Sequence, residues 1–88
     1  MCGSDAVAAV VINLAQSMGR AVGTDLAVTG FDGGAIGTFL QPALTGVRIP
    51  IDQIAHELVR RCQREIAHGP TGDPGLLIPT EIITGASA

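Results

Sequence analysis

One carboxylate stands out by its setting. Asp32 follows the apolar run Leu26-Ala27-Val28-Thr29 and sits within Gly30-Phe31-Asp32-Gly33-Gly34. An apolar run of that length, bounded by Asp25 and Gly30, fits a buried strand of a parallel sheet. In open α/β sheets ligands bind beyond the carboxyl ends of the strands. Neighbouring glycines let a ligand approach the backbone closely, and a carboxylate accepts hydrogen bonds from hydroxyl-bearing ligands. A second reading of the same residues is a turn-forming Asp that bonds its own backbone. The residues alone leave both open.

Other chemistry is excluded by spacing. The dinucleotide fingerprint needs Gly-x-Gly-x-x-Gly, and the nearest frame begins with Asp32 where the first Gly belongs. An acid there repels a pyrophosphate, and no Gly-Lys-Ser/Thr loop occurs. Cys2, Cys62, His56 and His68 match no zinc spacing. Cys62 lies on an apolar stripe and reads as a small core residue. No Gly-x-Ser-x-Gly motif occurs, and neither His has a nearby Ser or Cys partner. No catalytic residue, metal site or cofactor is therefore expected. Arg60, Arg61 and Arg64 read as a solvated helix face.

The elements that position Asp32 follow from pattern. Ser4 and Asp5 signal a helix start, with Ser4 as cap and Asp5 at the positive end of the dipole. Ala6 to Met18 reads as helix, stopped by Gly19. It is apolar on nearly every side, as a widely buried or interfacial helix must be. Phe31-Asp32-Gly33-Gly34 reads as a loop after the strand, and Ala35 to Leu40 as a short helical turn. Pro42 to Ile49 reads as extended, closed by Pro50. Ile51 to Ala67 reads as helix, because Ile51, Ile54, Ala55, Leu58, Val59, Cys62 and Ile66 fall on one stripe. His68 to Gly75 is a Gly- and Pro-rich loop. Leu76-Leu77-Ile78 and Glu81-Ile82-Ile83 read as one or two closing strands. The alternation gives an α/β fold.

Composition bounds the rest. The chain has 88 residues, a formal net charge of −3, 47% hydrophobic and 2% aromatic residues, and two Cys. A chain of this size buries roughly 60–65% of its unfolded surface, so one small domain is the upper limit. The acidic balance opposes nucleic-acid binding by this stretch. The apolar run after Asp5 is too short to span a membrane and has no basic region before it. The default expectation is a cytoplasmic chain with reduced thiols. Such a small apolar chain without staples reads as a piece of a larger core.

The ordered motifs resemble the sensor domain of LacI/GalR-type transcriptional regulators. Ser4-Asp5-Ala6-Val7-Ala8 resembles the Asn/Ser-Asp opening of a family helix. Gly23-Thr24-Asp25-Leu26-Ala27-Val28-Thr29-Gly30-Phe31-Asp32 is similar to the family run that ends in Gly-Phe/Tyr-Asp. Pro42-Ala43-Leu44-Thr45-Gly46-Val47-Arg48 is similar to its Pro-Pro-Leu-Thr-Thr segment, with Gly46 in place of the second Thr. Pro79-Thr80-Glu81-Ile82-Ile83 with Ser87 resembles the closing strand, with Gly85 where an Arg is usual. The likeness spans essentially the whole chain.

The resemblance implies part of a periplasmic-binding-protein-like fold, two α/β lobes around an effector cleft, of which this chain covers the C-terminal end. It implies that residues 1–47 belong to the C-terminal lobe. Residues 48–75 would make a lobe crossing and a helix of the N-terminal lobe, and 76–88 the returning strand and tail. It places Asp32 and Ser4 on a small, sugar-like effector, with Ile49 and Phe31 also in the cleft. It places Val7, Ala8, Val11, Ile12, Phe39 and Leu40 in a homodimer interface. DNA contact is implied only through an N-terminal domain outside these residues, and no membrane partner is implied. A solute-binding protein of a transporter and a free-standing interaction module are the alternatives.

Overall fold

Helix α1 (Asp5–Ser17) begins where Ser4 turns into extended backbone and its side chain accepts from the Val7 amide at 3.2 Å. It ends at Met18, and Gly19 follows with a φ of 79°. One face of α1, Ala8, Ile12 and Ala15, is buried; Ala8 and Ile12 join Val28 and Leu44 in the core cluster. Cys2, Val11, Val22 and Leu40 pack around that cluster half-buried. The core is small, and burying a side chain such as Leu44 stabilises it by about 1.5–3 kcal/mol.

The computed structural model describes residues 1–70, 72 and 74–88. The remaining elements are β1 (Thr29–Asp32), α2 (Ile36–Phe39), β2 (Thr45–Arg48), α3 (Ile51–His68) and β3 (Glu81–Ile83). The sheet order is β1-β2-β3. Strands β1 and β2 run parallel in the register Thr29↔Thr45 to Asp32↔Arg48. A parallel pair needs a crossover, which residues 33–44 with α2 supply. Strand β3 runs antiparallel to β2, with Arg48 opposite Glu81. The Arg48 Nη1 to Glu81 Oε1 ion pair, at 3.2 Å, is exposed.

Two expectations shift here. The strand starts at Thr29, not Leu26, so Phe31 and Asp32 are strand residues and not loop. The cause is the chain's tail. Val28 donates its N–H to the Ser87 carbonyl at 2.8 Å, and its own carbonyl accepts from Ser87 Oγ at 2.7 Å. Val28 therefore pairs with Ser87 and not with β2. Ser87 is fully buried, and its hydroxyl also accepts from the Thr45 amide at 2.8 Å. One side chain thus ties the entrance of β1 to that of β2. The second shift is at Leu76-Leu77-Ile78, which forms no strand.

The described chain divides into two compact units, Met1–Ile49 with Thr80–Ala88, and Pro50–Pro79. The first contains the sheet, α1, α2 and the core. The second is α3 and the segment after it. Helix α3 has no buried residue, and Ile51, Leu58, Val59 and Ile66 of its apolar stripe are exposed, as is Cys62. Within this unit a groove of about 280 Å³ is lined by Ile54, Glu57, Leu58, Arg61, Leu76 and Ile78. Arg61 Nη2 donates to the Pro74 carbonyl at 3.1 Å. The loop expected over 68–75 includes Thr71 and Asp73, which lie outside the described residues.

Candidate functional site

Asp32 ends β1 with a φ of 112°. Non-glycine residues rarely adopt such a backbone. Its carbonyl accepts from the Ile49 amide at 3.1 Å, just past the end of β2. Its half-buried carboxylate has no hydrogen-bond or ion-pair partner among the described residues. The turn-forming reading, in which Asp32 bonds its own backbone, is thus not the geometry found. The carboxylate stands free at the carboxyl ends of two parallel strands, where α/β sheets place ligands.

The residues after Asp32 explain the glycines. Gly33 has a φ of 68°, and a Cβ there would lie 2.5 Å from Arg48 Cα. Glycine is required on both counts. Gly34 donates its N–H to Asp5 Oδ2 at 2.9 Å. Asp5 is buried, and its Oδ1 has no hydrogen-bond partner. Gly30 makes room for that oxygen, since a Cβ on Gly30 would fall 2.5 Å from Oδ1 and 2.6 Å from Leu44 Cδ2. Gly46 faces Gly30 across the ladder, where a Cβ would lie 2.8 Å from the Gly30 carbonyl oxygen.

The sequence-derived candidates fall at different places. Ser4 is half-buried and caps α1, next in sequence to the Asp5 that holds Gly34. Ile49 is half-buried and bonded to the Asp32 backbone. Phe31 is half-buried in β1, opposite Val47. Asp32, Ile49 and the Gly33-Gly34 turn therefore meet at one edge, with Asp5 bonded beneath the turn. In the sequence Asp5 signals a helix start and a dipole partner and resembles the Asp of the family opening, with no local sign of a distant partner. Its bond to Gly34 spans 29 residues, and only the Gly30 and Gly34 positions carried a trace of it. Beside the Gly33-Gly34 turn a cavity of about 30 Å³ lies between Asp5, Gly33, Gly37, Thr38, Leu44 and Arg48, and Asp32 is not among its lining residues. That is room for a water molecule or two and not for a sugar ring.

Among the interface candidates, Ala8 and Ile12 are buried in the core and do not reach the surface. They turn inward because they share the α1 face that meets Val28 and Leu44. Val7 and Phe39 are exposed, while Val11 and Leu40 are half-buried beside the core. The exposed apolar residues of α1 also include Val10 and Leu14, and Met18 just past its end is exposed as well. Among the described residues no group of three His, Cys, Asp or Glu side chains gathers as a metal would need. No helix among them is long and apolar enough to cross a membrane.

Comparison with known proteins decides the family. The model of the periplasmic binding protein-like domain matches residues 1–88. The chain belongs to this family. A relative, the HTH-type transcriptional regulator of the aml 5′ region of Streptomyces limosus, is 33% identical over 87 residues, 99% of this chain and 25% of that protein. The ribose operon repressor of Halalkalibacterium halodurans is 35% identical over 80 residues, 91% of this chain and 24% of the repressor. The chain thus spans about a quarter of the length of these relatives.

Solved structures agree. A LacI-family regulator from Sanguibacter keddieii superposes with a TM-score of 0.86 at 32% identity, covering 97% of this chain and 33% of that one. A complex of the regulator CelR with cellobiose superposes at 0.91 and 24% identity, covering 98% of this chain and 26% of CelR. A lac repressor dimer bound to operator superposes at 0.88 and 20% identity, covering 99% and 26%. The last two show the fold alone. This periplasmic-binding-protein-like segment resembles part of the sensor domain of LacI-family regulators.

Proposed function

We propose that this chain serves as the C-terminal part of an effector-sensing and dimerising domain of a LacI-type transcriptional repressor. The effector is a small hydroxyl-bearing molecule of the sugar class. The observation that carries the reading is the unpartnered Asp32 carboxylate at the carboxyl ends of β1 and β2. A carboxylate accepts from two adjacent sugar hydroxyls and offers them no competing intramolecular bond. Ser4, Ile49 and Phe31 line the same cleft in this reading. The likeness to a ribose operon repressor supports the sugar class.

Residues 50–79, which form a unit of their own, belong to the other lobe in this account, and residues 1–47 with 80–88 to the C-terminal lobe. The exposed residues of α1, with Phe39, form the homodimer face. An effector that prefers one lobe arrangement shifts the population and so changes DNA affinity through an N-terminal domain. No catalytic step and no cofactor enter this account, and the work is done in the cytoplasm where the DNA is. The curated relatives are HTH-type regulators, which favours this reading over a transport protein of the same fold.

The test is titration calorimetry on a protein of full family length that carries this segment, with cellobiose and ribose as probes. Asp32→Ala is expected to weaken binding at least tenfold, the loss of roughly 1.5–3 kcal/mol of charged hydrogen bonding. Unchanged affinity removes Asp32 from the effector site.

A further inference from the structure

The strained backbone at Asp32 needs anchoring, and the anchors are visible. A residue held at a φ such as 112° keeps that conformation only when its surroundings over-determine it. On one side of Asp32 the Ile49 amide binds its carbonyl. Beyond Gly33, the Gly34 amide is bound by Asp5 Oδ2 at 2.9 Å. Asp5 itself cannot move. It is 4% exposed, it begins α1, and its second oxygen is shut away from solvent beside Gly30. At the first turn of α1 its charge meets the positive end of the helix dipole.

We infer that Asp5 is a positioning residue for the effector site: it clamps Gly34 and thereby fixes the turn that presents the Asp32 carboxylate. Burying a carboxylate with one oxygen unpaired is unfavourable for stability alone. The arrangement is intelligible as a rigid support for a neighbouring polar contact. The clamp also couples the start of α1, where Ser4 lies, to the end of β1. The two residues read as effector contacts are thus set by one buried side chain.

This inference rests on Asp32 being the effector contact, and its test separates the two claims. In the protein of full family length, Asp5→Ala, Asp5→Asn and the unaltered chain are compared at a temperature where all are folded. Two readouts are taken: the dissociation constant for cellobiose and ribose, and the hydrogen-exchange rate of the Gly34 amide without sugar. Asp5→Ala is expected to raise the dissociation constant and the exchange rate about tenfold each. Asp5→Asn keeps an acceptor oxygen and is expected to stay within about threefold of the parent on both. A merely structural role would lower the melting temperature and speed Gly34 exchange but leave the dissociation constant in place.

Parent-like affinity in Asp5→Ala overturns the inference, whatever the Gly34 exchange rate. So does equal damage from Ala and Asn, which would assign the effect to charge and not to the bond. If the unaltered chain binds neither sugar, the effector reading fails, and the Gly34 exchange still decides the clamp. Should Asp5→Ala fail to fold, the parent alone suffices. A scalar coupling across the hydrogen bond between Gly34 ¹⁵N and Asp5 ¹³Cγ is expected, and its absence overturns the clamp.

Discussion

Asp32 and its neighbours set backbone strain against the proposed function. Asp32→Gly relieves the unfavourable φ of 112°. It is expected to hold or raise thermal stability, by up to about 1 kcal/mol, while abolishing sugar binding; a melting curve paired with calorimetry checks this. Gly33→Ala should do the opposite, since its Cβ meets Arg48 Cα at 2.5 Å as well as the positive φ. A loss of about 1–3 kcal/mol in denaturant titration is expected. Ser87→Ala leaves the Thr45 amide without its hydroxyl acceptor. It should cost about 1–3 kcal/mol by the same titration. The setting of Asp32 was legible because an apolar run and glycines are local signals. The role of Asp5 was not. Its partner lies 29 residues away, and a first-turn acid is explained equally well by the helix dipole alone.

At the scale of elements, the helices were more legible than the strands. Helix α1 carried both of its stops in sequence, Ser4 before it and Gly19 after it. Helix α3 ran to His68, one residue beyond the expected end. Strand β1 slid because Val28 found its partner in Ser87, a contact no local pattern encodes. Leu76-Leu77-Ile78 is apolar enough for a strand, yet Leu76 and Ile78 line the groove on α3 and make no ladder. The all-round apolar character of α1 resolves into two faces. Ala8, Ile12 and Ala15 point to the core, and Val7, Val10 and Leu14 to the surface. In the proposed dimer the second face is covered. Leu14→Asp or Phe39→Asp in the full-length protein is expected to shift it toward monomer in sedimentation velocity, whereas a change at Ile12 would report on core stability instead.

At the scale of the whole molecule, the low aromatic and high apolar content makes physical sense for a segment of a larger fold. The first unit holds every buried hydrophobic residue among those described, and the second holds none. Amide exchange in the 88-residue chain is therefore expected to be slowest around Ala8, Ile12 and Val28 and faster over α3, which has no buried residue. The family was legible because several short motifs occur in the right order over the full length. The effector was not, since a lone carboxylate among glycines specifies only a hydroxyl-bearing ligand and not which one. In the proposed reading the segment contributes one wall of a cleft, with Asp32 as its polar contact. The most direct measurement is a crystal structure of the full-length protein with cellobiose or ribose bound. A sugar hydroxyl within hydrogen-bond distance of the Asp32 carboxylate is predicted. A bound sugar that makes no contact with Asp32 would contradict the account.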